Sequence, residues 1–160
     1  MYNPINSYYI IHNIFGLVKL MAAPDIEYKT NKELWSLYKL DDGTTLKLKI
    51  ILVRVIWERA PEGMKGLGFA LNNVVAILPN KLPSGKKIPA KQDIKIKETI
   101  IKVRNEYTLT SGENAGTKIF IEPNIATISR TDKADARGEP IYNVQIAPAI
   151  SIKPKKANTV

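Results

Sequence analysis

Two groups of carboxylates are the first residues whose types could do chemistry. Asp41 and Asp42 are adjacent, and Asp132, Asp135 and Glu139 lie close together. Metal binding needs further oxygens converging on one point, and acid–base work needs a raised carboxyl pKa. Turn residues are the plainer reading, because Asp41-Asp42-Gly43-Thr44 has hairpin composition. Ser84-x-x-Lys87 has the spacing of a serine nucleophile and its lysine base, but that motif opens a helix and needs partner motifs. Here it stands in loop text beside Pro83 and Gly85. Gly63-x-x-Gly66-x-Gly68 lacks the Lys-Ser/Thr of a phosphate loop. The chain has no Cys and a single His, His12. That excludes disulfides, thiolate zinc, iron–sulfur clusters and a multi-histidine metal site within one chain. No catalytic residue, metal or cofactor is expected, and the chain is read as non-enzymatic.

The remaining chemistry is charge. The 160 residues carry a net charge of +9, from 24 Lys+Arg against 15 Asp+Glu. Most of that excess lies between residues 79 and 104, where eight basic residues meet only Asp93 and Glu98. The eight are Lys81, Lys86, Lys87, Lys91, Lys95, Lys97, Lys102 and Arg104. Pro79, Pro83, Gly85 and Pro89 make the start of this stretch extended or turn-rich. A Lys-rich extended strip can lie along a phosphate backbone and release counterions. Lys153, Lys155 and Lys156 form a second, smaller basic point. Lys in place of Arg favours phosphate contact over base reading. No aromatic residue lies between Leu78 and Tyr107. Base stacking would therefore need Tyr38, Phe69, Tyr107 or Tyr142, which sit on apolar runs and read as core.

Strands must position these groups. Leu37–Leu40 precedes the Asp-Gly turn, and Leu46, Leu48, Ile50 and Leu52 then alternate with Lys47 and Lys49. From Ile50 to Ile56 both faces are apolar apart from Arg54, as in a strand entering a covered position. Leu67, Phe69 and Leu71 alternate, Asn72-Asn73 interrupts, and Val74–Leu78 resumes. Ile94 and Ile96 alternate with lysines, but Ile101 and Val103 stand on the other parity, so a bulge or break falls near Thr99. A short helix over 93–104 is the alternative there. No segment after Lys32 keeps a capped helical period, and the chain is expected to be all-β.

Internal similarity points to duplication. Tyr38-x-Leu40-x-x-Gly43 matches Tyr107-x-Leu109-x-x-Gly112. Leu46, Leu48, Leu52 and Val55 align with Ile119, Ile121, Ile125 and Ile128. Phe69 aligns with Tyr142, and Val75-x-Ile77-x-Pro79 with Ile150-x-Ile152-x-Pro154. The expected architecture is two tandem four-strand antiparallel meanders, as small SH3-like barrels or one merged sandwich, joined by a basic connector. The divisions are an apolar N-terminal extension 1–20, repeat 33–79, connector 80–104, repeat 105–156 and tail 157–160. Trp35-x-x-Tyr38-x-Leu40-x-Asp42-Gly43 and Gly138-x-Pro140-Ile141-Tyr142-x-Val144 resemble small uncharacterised archaeal β-proteins. The resemblance covers one repeat and implies source and fold, with no activity. Rich Lys and Ile with scarce Gln point the same way, toward a thermophile, although an AT-rich genome gives a similar bias.

Tyr8–Met21 is the most apolar stretch and is too short for a membrane span of about 20 residues. It reads as a docking helix or strand, as text upstream of a start at Met21, or as a membrane-surface anchor. A cytoplasmic protein without a membrane span is expected. The functional expectation is a non-catalytic β-module binding structured RNA, in preference to DNA, by phosphate contacts, as in a ribosome- or ribonucleoprotein-associated component. The alternatives are a structural protein–protein subunit docking through strand edges or the apolar N-terminus, and a small-ligand β-barrel.

Overall fold

A computed structural model describes residues 25–59, 65–79 and 89–156. The apolar N-terminal extension, His12, Gly63, Ser84, Lys81, Lys86, Lys87 and the 157–160 tail lie outside the described residues. Ten strands and no helix form among the described residues: β1 (Tyr28–Lys32), β2 (Ser36–Leu40), β3 (Thr45–Arg59), β4 (Lys65–Leu78), β5 (Ile96–Ile101), β6 (Asn105–Leu109), β7 (Lys118–Glu122), β8 (Ile125–Ala134), β9 (Pro140–Ile146) and β10 (Ala149–Lys153). Every pairing is antiparallel. The all-β expectation therefore holds.

Alternation sets the inner faces. Ser36, Tyr38 and Leu40 of β2 are buried, as are Leu46, Leu48, Ile50 and Leu52 of β3, while Lys47 and Lys49 point away. Between Leu52 and Arg54 the register shifts, leaving Val53 56% exposed and turning Val55 inward. Coverage of both faces of β3 is thus confined to Val55 and Ile56. There Ile26 N donates to Val55 O at 2.8 Å, and Asp25 bridges Ile56. Asn72 and Asn73 do not interrupt β4. They pair with Ile51 and Ile50, and the ladder runs through them from Lys65 to Leu78. The range 93–104 holds β5, not a helix. Its register shifts on either side of Thr99, in the segment where alternation slips.

The tandem-meander arrangement is not what forms. One sheet has the order β4-β3-β2-β5 and the other β1-β6-β7-β10, with β8-β9 as a separate pair. Each four-stranded sheet thus takes an outer strand from the other half of the chain. None of the sheets closes into a barrel. Part of the range read as connector is structural, since β5 pairs with β2 and Lys91 bridges Arg130. The inner faces share one core, which includes Leu40, Leu46, Leu48, Tyr107, Leu109, Ile119 and Ile121.

The two central hairpins have the same register. Ser36 pairs with Leu48 and Tyr38 with Leu46; Asn105 pairs with Ile121 and Tyr107 with Ile119. Gly43 and Gly112, at φ +88° and +74°, turn the chain where an L side chain would be strained. Outer strands also correspond, with Leu46↔Ile77 and Leu48↔Val75 against Ile119↔Ile152 and Ile121↔Ile150. Further along, Val55 pairs with Phe69 and Ile128 with Val144.

Contacts between the halves come in reciprocal pairs. Val103 N donates to Ser36 Oγ at 2.9 Å, and Leu34 N donates to Asn105 Oδ1 at 3.0 Å. Asp41 N donates to Lys95 O at 2.9 Å, and Thr110 N donates to Glu27 O at 2.8 Å. Tyr28 pairs with Leu109, while Ile96 pairs with Leu40. In the two hydrogen-bonded cases the donor of one half and the acceptor of the other trade places.

Candidate functional site

The basic residues of the connector do not form one bare strip. Lys91 Nζ lies 2.9 Å from Asp41 Oδ2, Lys95 Nζ 2.7 Å from Asp93, and Lys102 Nζ 3.9 Å from Glu122. Arg104 stacks its guanidinium 4.4 Å from the Phe120 ring centroid. Lys97 is exposed on β5. Lys153, Lys155 and Lys156 are also exposed, and Lys153 stands opposite Lys118 in the β10–β7 ladder. Lys118 in turn lies 2.6 Å from Glu106. Exposed pairs of this kind contribute little to stability and leave the lysines available to other anions.

The candidate aromatics are core. Tyr38, Tyr107 and Tyr142 are buried and Phe69 is packed against them. Tyr107 OH donates to Glu33 Oε2 at 2.8 Å and accepts from Leu52 N at 3.3 Å. Burial pushes its phenol well above the ordinary range, and the Glu33 carboxylate adds to this. The Tyr28 ring meets it edge-on, with centroids 5.8 Å apart.

The Asp-Gly turn holds a polar corner that turn composition does not reveal. Asp42 Oδ2 accepts from Tyr142 OH at 2.5 Å and from Arg130 Nη1 at 3.1 Å. Asp42 Oδ1 accepts from Thr44 N at 3.0 Å. Thr44 Oγ1 and Tyr142 OH are 2.8 Å apart. Arg130 also donates twice to Pro89 O, at 3.1 and 3.2 Å. The Asp42 and Arg130 side chains are 6% and 13% exposed. Burial pushes the Asp42 carboxyl up, but the Tyr142, Thr44 and Arg130 contacts outweigh it and hold it below the usual range. A carboxylate locked in this way is a structural anchor, not a proton donor.

Asp135 is likewise a turn residue. Its Oδ1 accepts from Arg137 N and Glu139 N, which with the Arg137 charge keeps its carboxyl low. Among the described residues no cluster of His, Asp or Glu could hold a metal. An open cleft of about 360 Å³ is lined by residues including Asp25, Tyr28, Arg54 and Thr110. It lies between strands rather than inside a barrel. Among the described residues no helix is long and apolar enough to cross a membrane.

The strand edges differ sharply. β1 carries Lys29 and Lys32, and β5 carries Lys97 and Glu98. β9 and β10 are separated at Ala147-Pro148, and Pro154 follows β10. Lysine and proline are common guards against unwanted strand pairing. β4 has neither along Gly66–Leu78, a run with no charged residue and no proline. Its outer side has no strand partner among the described residues. Sequence reasoning passed over this edge, although the missing charges and prolines were legible.

No protein-family model matches the chain, and neither the curated proteins nor the solved structures give a match.

Proposed function

We propose that the chain is a non-catalytic β-module built of two related units, which joins a larger assembly through an open sheet edge. The observation that carries this reading is β4, a fourteen-residue edge strand without a charge or proline from Gly66 to Leu78. Its outward N–H and C=O groups are a ready template for another strand. Matched registers and reciprocal contacts support the relation between the units. The test is capture from the native source under nuclease and high salt, comparing the wild type with an Asn72→Lys variant that places a charge in the middle of β4. A partner retained by the wild type and lost by the variant supports the reading. Equal capture by both, or by neither, overturns it.

A second reading, phosphate contact with structured RNA or DNA, is favoured by the +9 net charge and by exposed Lys97, Lys153, Lys155 and Lys156. A ribonucleoprotein-associated archaeal component would fit that charge, with RNA favoured over DNA. Lys81, Lys86 and Lys87 would extend the contact, with Lys91, Lys95, Lys102 and Arg104 turning from their present partners. Replacing Lys97, Lys153, Lys155 and Lys156 by Gln should flatten the dependence of affinity on salt by roughly one counterion for each lost contact. An unchanged slope in filter binding would remove this reading.

A further inference from the structure

We infer that the partner across β4 is a second copy of this chain, paired antiparallel to it about a two-fold axis near Asn72 and Asn73. This rests on the edge-assembly reading and names its occupant.

Four observations converge on self-pairing. First, an antiparallel two-fold pair sets the strand against its own reverse. With no charge from Gly66 to Leu78, no like charges face each other anywhere along the shared ladder. The same pairing of β1, about its middle between Thr30 and Asn31, would set Lys29 against Lys32 of the copy. Second, Leu67, Phe69, Leu71, Val75 and Ile77 are only partly buried against the core, and Leu78 is 51% exposed. Continuing the sheet past β4 covers these side chains with their own copies. Third, the side-chain oxygens of Asn72 and Asn73 are buried and have no hydrogen-bond partner among the described residues. Asn73 as a residue is 8% exposed. An unpaired buried carbonyl costs about 1–3 kcal/mol. A strand added beside β4 brings backbone and carboxamide donors to the middle of the strand that carries these two residues.

Fourth, the fold limits the assembly to two copies. A molecule with two open edges could pair head to tail and grow into a fibre, whereas a two-fold contact closes on itself. In the other half, the strand run that corresponds to β4 is broken at Ala147-Pro148 and ends at Pro154. The open edge has no equivalent there. Pairing through β4 therefore gives one continuous sheet, β5-β2-β3-β4 joined to the same four strands of the second copy in reverse order.

Sedimentation velocity on the full chain over a wide concentration range, after nuclease treatment, tests this. The wild type should sediment as a dimer, and Asn72→Lys should weaken the dimer about tenfold or more, as like charges meeting across an interface do. Asn72→Asp should do the same alone, while an equimolar mixture of the two variants should restore the dimer. Circular dichroism checks that both remain folded, and Val74→Lys with Val74→Asp, on the same strand face, repeats the design if they do not. Amide exchange at Leu67–Leu78 should slow as wild-type concentration rises. A monomeric wild type overturns the inference, as does a dimer indifferent to both charge pairs. The edge-assembly reading survives a monomeric result if native capture is still lost with Asn72→Lys. Co-sedimentation that disappears with nuclease assigns the assembly to nucleic acid and also overturns the inference.

Discussion

Changing Asp42 to Asn tests how much of the fold depends on the corner between the two halves. The substitution keeps the shape of the side chain and removes its charge. Oδ1 can still accept from Thr44 N, but an amide now faces the Tyr142 hydroxyl and the Arg130 guanidinium. Both side chains of the ion pair are mostly buried, at 6% and 13% exposed. Breaking a buried pair from one side costs about 3–5 kcal/mol, because the remaining charge loses its partner. Arg130 keeps two bonds to Pro89 O, so its charge is not abandoned. The expected loss is therefore about 2–3 kcal/mol. Urea unfolding should show a lower midpoint with an unchanged slope. Combining the change with Arg130→Met should recover about 1–2 kcal/mol of coupling. The acid limb gives a second readout. The folded carboxyl is held low, so its stabilisation is present above the ordinary carboxylate range and is lost as pH falls through the lowered value. The gap between wild type and Asp42→Asn should narrow below about pH 4. A loss below about 0.5 kcal/mol, or additivity within that margin, would refute the claim that the corner acts as one unit.

Gly116 has φ +92°, and a Cβ there would stand 2.8 Å from Lys155 Cδ, whereas Gly112 at φ +74° has open space. Gly112→Ala should cost about 1 kcal/mol and Gly116→Ala about 1 kcal/mol more, read by thermal unfolding. Tyr107→Phe removes the donor to Glu33 and the acceptor of Leu52 N, and should cost about 1–2 kcal/mol in urea. Burial raises the phenol pKa of Tyr28, Tyr38, Tyr107 and Tyr142. Their stabilisation is thus present below the ordinary phenol value and declines as pH rises above about 10. Tyr107→Phe should reduce that alkaline decline, measured as unfolding midpoint against pH.

The inward residues were legible because burial imposes a two-residue period. Leu46, Leu48, Ile50 and Leu52 announce β3, and Asp-Gly announces the turn before it. The parity slip in the isoleucines located the irregularity of β5. β1 was missed for the opposite reason. Four of its five residues are exposed, so Tyr28–Lys32 has no apolar alternation to read. Its pairing with β6 is also fixed by contacts from the far half of the sequence, such as Asn31 Nδ2 donating to Thr108 Oγ1 at 2.5 Å. Treating 80–104 as a connector followed from its charge and prolines, which do not show that an exposed strand completes another strand's sheet. Asp42 looked like an ordinary turn residue. Its partner Arg130 lies 88 residues away, and no local pattern marks that pairing.

The traded places of β1 and β5 bear on synthesis. β2, β3 and β4 can pair as soon as residue 78 is available, but their sheet lacks its last strand until β5 follows. β1, made before the other strands described, waits longer, because its ladder among the described residues is with β6. Neither half can finish before the other has begun, so the nascent chain passes through a stage in which both outer strands are unclaimed. Folding should consequently be slow and gated by late-made segments, as non-local pairings dictate. During that interval the uncharged β4 edge stands beside strands still without partners, and the ribosome-bound chain is at its most vulnerable to pairing with a neighbour.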